Sequence, residues 1–143
     1  MYEALKHTHS GLRWIAFALL LLAIYNAFTA KNFTKRERLI NLFSMVSLHT
    51  QLLLGLILLY FSPKVSFNGK WMASPLFRFY GMEHLLGMLI AIALITIGYS
   101  KSKKGTTPTE VYKPIKLFYV IGLILILLSI PWPFRETLGG AWF

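Results

Sequence analysis

The sequence predicts an all-α polytopic membrane protein, a bundle of four transmembrane helices, and three observations predict it. Of its 143 residues 56% are apolar and only 14% charged, a balance outside the range of soluble domains. The charges are gathered into short clusters separated by uncharged runs of about 20 residues, the length a helix needs to cross a bilayer. The formal charge of +10 would suggest nucleic acid as a partner in a soluble chain, but here the lysines and arginines lie between the apolar runs, so the partner they imply is the lipid bilayer and not nucleic acid.

The four runs make one domain, with spans at about 11–30, 39–61, 75–100 and 117–134. The first stops at Lys31; Lys6 and Arg13 before it imitate a signal peptide, but the stretch is long for a signal core and reads as a retained span. The second follows Thr34 and Glu37, spaced as a capping box, and stops at Ser62-Pro63. Ser74-Pro75 opens the third as an N-cap with proline at the first helical position, and Lys101 closes it. A solvated loop rich in Lys, Thr and Gly precedes the fourth; Thr107, Pro108 and Glu110 repeat the start signals, and Pro114 either kinks that helix or restarts it.

Four spans put the first and third connections on one side. That side carries nine lysines and arginines against six on the other, which places both termini outside. All four tryptophans (Trp14, Trp71, Trp132, Trp142) fall toward the outer side, where an interfacial aromatic belt belongs.

Ionisable groups within spans cost about 2.5–3.5 kcal/mol each on insertion scales, so each one needs a reason. They are His9 and Arg13 in the first helix, His49 in the second and the Glu83-His84 pair in the third, while the fourth carries only Tyr119 and Ser129 and reads as packing. Counted from the outer ends, His49 and His84 fall within about one turn of the same depth; registered on the inner charges, Arg38 against Lys101, they fall about 9 Å apart. Gly81, Gly87 and Met88 share the His84 face and leave room for a flat ligand. Arg13, level with Glu83, is expected to form a buried ion pair with it.

With no cysteine in the chain, thiolate and iron–sulfur chemistry is excluded and histidine is left to hold any metal. Histidines projecting from facing helices suit axial ligation of haem b, with His49 and His84 as ligands and His9 able to replace either. Arg13 and Arg78 are the cations for haem propionates, and Glu83 is a candidate to orient a ligand or relay a proton. The plainer alternatives are a polar seam for His49 with Ser47, Thr50 and Gln51, a solvated His7, and glycines that serve helix packing alone. Met45, Met82 and Met88 leave a copper site open, and the lysine clusters bind anionic lipid as a by-product of setting topology. No residue stands out as catalytic, and the absence of aspartate speaks against hydrolysis.

The stretch from His7 to Trp14, Leu48-His49-Thr50-Gln51 with Gly55, and Glu83-His84-Leu85-Leu86-Gly87 together resemble the small four-span bacterial membrane proteins labelled cytochrome b. The resemblance covers nearly the whole chain and implies a haem-binding bundle in the bacterial inner membrane, passing electrons between the quinone pool and a partner such as a respiratory-chain subunit. More distantly, the His7-to-Trp14 spacing and the closing Pro131-Trp132-Pro133-Phe134 resemble the bacterial membrane protoporphyrinogen oxidases, for which His7 would be the ligand in the first helix. The chain departs from that family in lacking a lysine in the third helix and an Asn-Glu-x-Pro entry to the fourth. A cofactor-free packing subunit or small transporter is the reading from a different class.

Overall fold

A computed structural model describes residues 1–140 and Trp142. The long helices are α1 (Tyr2–Thr29), α2 (Lys35–Phe61), α3 (Pro75–Ser102) and α4 (Pro108–Ser129), each long and apolar enough to cross a membrane. Short 3₁₀ turns at Trp71–Ala73 and Glu136–Leu138 complete the regular structure, and no strand occurs among the described residues. This is the four-helix bundle expected, with α2 starting a turn earlier, at Lys35, and the bounds of α1 and α4 moved as well. Helix α1 begins at Tyr2 and not near residue 11, because a terminal turn of Glu3 and Lys6 is helical without being apolar. Helix α4 begins at Pro108, a full two turns before residue 117, and its chain turns extended at Ile130, before Pro131.

Both capping boxes form. Glu37 accepts from the Thr34 backbone N–H at 2.9 Å, and Glu110 from those of Thr106 and Thr107 at 2.9 and 3.3 Å. Ser74 stands at the N-cap of α3 ahead of Pro75 but makes no side-chain cap bond. Pro114 neither breaks nor restarts α4. The helix runs through it into a π turn at Ile115–Tyr119, a wider winding that absorbs the N–H proline lacks. A second π turn, Phe79–Glu83, sits in α3 directly before His84.

Large apolar side chains are exposed as well as buried, unlike in a soluble protein. Leu21, Phe43, Leu53, Ile90 and Leu128 are exposed, while Asn41, Ser44, Gln51 and Ser102 are buried. A lipid-facing surface has this distribution, since apolar side chains lose nothing there and polar ones must find partners inside. The centre of the bundle is filled by Leu20, Ile95, Ile115 and Tyr119, and the Tyr119 hydroxyl donates to the Asn41 carbonyl at 2.8 Å.

The α3–α4 seam is close because of its glycines. A Cβ on Gly122 would stand 2.6 Å from Ile95 Cγ1, and one on Gly98 2.7 Å from Phe118 Cβ. Beyond α4 the chain folds back over the end of the bundle that carries the N-terminus. Tyr80 Oη donates to the Leu138 carbonyl at 3.0 Å, Lys64 Nζ to that of Gly139 at 2.7 Å, and Arg13 Nη2 to that of Trp142 at 2.7 Å. Trp142 packs against both Trp14 and Trp132 there, with ring centroids 6.3 and 6.0 Å apart.

Candidate functional site: a histidine-lined cavity

Beneath this C-terminal cap lies a cavity of about 250 Å³, walled mainly by apolar side chains from all four helices. Along α1 its lining runs from Tyr2 to Leu20, about 27 Å at 1.5 Å per residue. The cavity is therefore an elongated slot along the bundle. Of the four histidines, His9 and His84 line it.

His84 is held from α4. Its Nδ1–H donates to the Ser129 carbonyl at 2.7 Å, a carbonyl at the α4 C-terminus with no intrahelical partner to satisfy. That bond fixes the tautomer and leaves Nε2 as the nitrogen with a lone pair, the arrangement metal-ligating histidines use. Phe79, from the π turn, packs beside the imidazole with centroids 5.9 Å apart. Helix α4, expected only to pack, thus supplies the partner that orients His84.

His9 approaches from α1, and its backbone carbonyl accepts from Gln51 Nε2 at 2.9 Å. Its Nδ1 is buried with no partner among the described residues, as is Gln51 Oε1. Gly55, one turn along α2, gives the ring its space: a Cβ there would stand 3.4 Å from His9 Cε1. Counted from the starts of α1 and α3, His9 and His84 lie about 11 and 14 Å along their helices, within one turn of each other.

His49 is elsewhere. Its Nδ1 donates to the Met45 carbonyl at 2.9 Å, and its Nε2 lies 3.4 Å from Thr96 Oγ1. Thr96 is twelve residues beyond His84 on α3, about 18 Å along the axis. The expectation that His49 and His84 share a depth therefore fails, because α2 and α3 are registered with His49 opposite Thr96. His49 sits in an α2–α3 polar contact with Thr96, whereas Ser47 and Thr50 bond within α2 and Gln51 bonds to the His9 carbonyl.

Other expectations change with it. Glu83 pairs with Arg78 at 2.6 Å and not with Arg13, because the π turn carries Glu83 round to face the first turn of its own helix, where both groups are partly exposed. Arg13 lines the cavity and is anchored to the Trp142 carbonyl. The space beside Gly81 is taken by Phe67 and Trp71, and that beside Gly87 by Ser129, so neither glycine makes room for a ligand. His7 is exposed with its ring toward Glu3, at 3.7 Å, away from the cavity. Met88 lines the cavity while Met45 lies beside His49, so the residues foreseen for copper are divided.

Lys6 and Lys64 also line the cavity, and sequence reading did not single them out. Lys6 pairs with Glu3, and Lys64 lies over the Tyr80 ring at 5.1 Å. Partial burial, and secondarily the charge of Lys6, push the Lys64 ammonium below its ordinary pKa, with Glu3 acting the other way. No cluster of three or more His, Cys, Asp or Glu side chains able to hold a bare metal ion occurs among the described residues. Comparisons with protein-family models, curated proteins and solved structures return no match.

Proposed function

We propose that this protein is a b-type cytochrome-like membrane protein that holds haem b between His9 and His84, with electron transfer to or from the quinone pool or a respiratory assembly as its role. The observation that carries the reading is the convergence of two imidazoles from different helices on one apolar cavity. One has its Nδ1–H committed to a carbonyl, and the other has a buried nitrogen without a partner. A haem iron already has four porphyrin nitrogens and asks the protein for two ligands, so a two-histidine site suffices where a bare ion would need more.

The residues present fit that group. His84 and His9 would hold it; Arg13, Lys6 and Lys64 would meet its carboxylates; and Leu20, Leu48, Ile92 and Ile126 would exclude water from its apolar edge. When bound, haem supplies a one-electron couple, and the chain contributes ligand orientation and a dry, positively charged setting. His49, preferred on sequence, is replaced by His9 in this proposal because only His9 shares the cavity with His84.

The test is a dithionite-reduced minus oxidised spectrum of the detergent-purified protein, with pyridine haemochrome quantification. Sharp α and Soret bands at about one haem per chain are expected, lost in His84→Ala and His9→Ala and retained in His49→Ala. A colourless protein after expression with ample haem, or loss of the bands in His49→Ala alone, overturns the proposal.

A further inference from the structure

At the opposite, lysine-rich end of the bundle a crevice of about 600 Å³ opens between the end of α1 and the first half of α4. Its polar wall is Lys31, Lys113 and Lys116, with Thr109 on the same helical stripe as Lys113, one turn away. None of the three lysines has a carboxylate partner among the described residues. The two carboxylates of this end are occupied elsewhere, Glu37 on the Thr34 cap and Glu110 on Thr106 and Thr107.

The rest of the crevice is apolar. Phe28 and Leu117 line it and are exposed, and Leu21, about two turns back along α1, and Ile121, about one turn on along α4, continue an exposed apolar strip toward the middle of the bundle. Lys116 lies over the Phe28 ring with its ammonium 5.2 Å from the centroid, so the charge stands at the level where the apolar strip begins. Tyr112, donating to the Asn32 carbonyl at 2.8 Å, ties the α1–α2 connection to α4 and holds the two walls together.

We propose that this crevice is a binding site for an anionic glycerophospholipid, its phosphate among Lys31, Lys113 and Lys116 and an acyl chain along the Phe28–Leu117 strip. Charge complementarity selects the occupant. Three ammonium groups without a carboxylate partner among the described residues call for an anion, and the apolar strip running from them into the membrane calls for one with a hydrocarbon tail. This site is separate from the histidine cavity and stands whether or not haem is bound.

The experiment is native mass spectrometry of the full-length protein in detergent, titrated with phosphatidylglycerol and, separately, phosphatidylcholine. The variant K31Q/K113Q/K116Q is compared with K101Q/K103Q/K104Q, which removes the same charge from the same end of the bundle. At about fivefold per lysine, phosphatidylglycerol binding is expected to weaken about a hundredfold in the first variant and less than fivefold in the second. Phosphatidylcholine should bind weakly to all three proteins.

Equal weakening in both variants would show diffuse charge attraction and overturn the site. Inorganic phosphate displacing the lipid at equimolar concentration would show that the acyl chain contributes nothing and overturn a lipid occupant. A lipid-independent dimer that dissociates in K31Q/K113Q/K116Q would assign the crevice to a second copy of the chain. Should that variant fail to fold, Lys113→Gln and Lys116→Gln singly decide the question, each with an expected fivefold loss.

Discussion

Gly87→Ala is the sharpest probe of how the bundle positions His84. The added Cβ would stand 2.1 Å from Ser129 Oγ and 3.0 Å from Ser129 Cβ. The hydroxyl can rotate away, but the Cβ cannot, and restoring a carbon–carbon contact of about 3.5–4.0 Å requires α3 and α4 to part locally by about 0.5–1 Å. Forcing one methyl into a packed seam costs about 1–3 kcal/mol, and alanine's higher helix propensity returns up to about 1 kcal/mol. The expected net loss is about 1 kcal/mol.

The same movement carries the Ser129 carbonyl away from His84 Nδ1. A bond now 2.7 Å long goes to about 3.2–3.7 Å, at or beyond the limit of a hydrogen bond. The assay is reversible unfolding in mixed micelles by tryptophan fluorescence, run as a double-mutant cycle with Ser129→Gly, which removes the obstructing atoms. The cycle cancels the propensity terms and should return a coupling of about 1–3 kcal/mol in the rescuing direction. Gly55→Ala, whose Cβ meets only His9 Cε1 at 3.4 Å, serves as the tolerated control. A coupling near zero, or Gly87→Ala no less stable than Gly55→Ala, would refute the seam reasoning.

Tyr119→Phe should cost about 1–2 kcal/mol in the same unfolding assay, because it strips the fully buried Tyr119 ring of the hydroxyl that satisfies the Asn41 carbonyl. Glu83→Gln should cost less than about 1 kcal/mol and leave any haem spectrum unchanged, since Glu83 meets Arg78 at a partly exposed site and not His84 or Arg13. Deleting residues 134–143 removes the carbonyls that hold Lys64, Tyr80, Arg13 and Trp14. A cysteine introduced at Ser10, in the cavity wall, should then react with a water-soluble maleimide at least tenfold faster than in the full-length protein; an unchanged rate would show that the segment is not a cap.

The cap also shares a residue with the cavity wall at this end. Arg13 and Trp14 both donate to the carbonyl of Trp142, so the chain's last described residue is tied to α1 one turn from His9. A group placed in the cavity would be covered on that side by main chain and tryptophan rings, with water held back from the imidazoles.

What the sequence by itself determined is the class of the molecule and the placement of its helices. Apolar runs of spanning length, bounded by charges or turn signals, leave the backbone no partner but itself in a bilayer, so four helices follow without any knowledge of contacts. The capping boxes at Thr34 and Thr107 are equally local, since each closes within four residues. The candidate list was legible too, because an ionisable side chain inside an apolar run stands out wherever it packs.

What only the tertiary structure decided is which of those residues meet. Relative depth depends on where each helix begins, and a displacement of a few residues slides a side chain by about 1.5 Å apiece. The extra turns of α1 and the α2–α3 register put His9 with His84 and left His49 opposite Thr96. The π turn at Phe79–Glu83 sent Glu83 to Arg78, and the α3–α4 contact brought the Ser129 carbonyl to His84. Nor does a run of apolar letters reveal that its exposed carbonyl end will orient a histidine on another helix. Hydropathy is a property of each residue in turn, whereas a site is made by distances between residues far apart in the chain, and packing alone sets those.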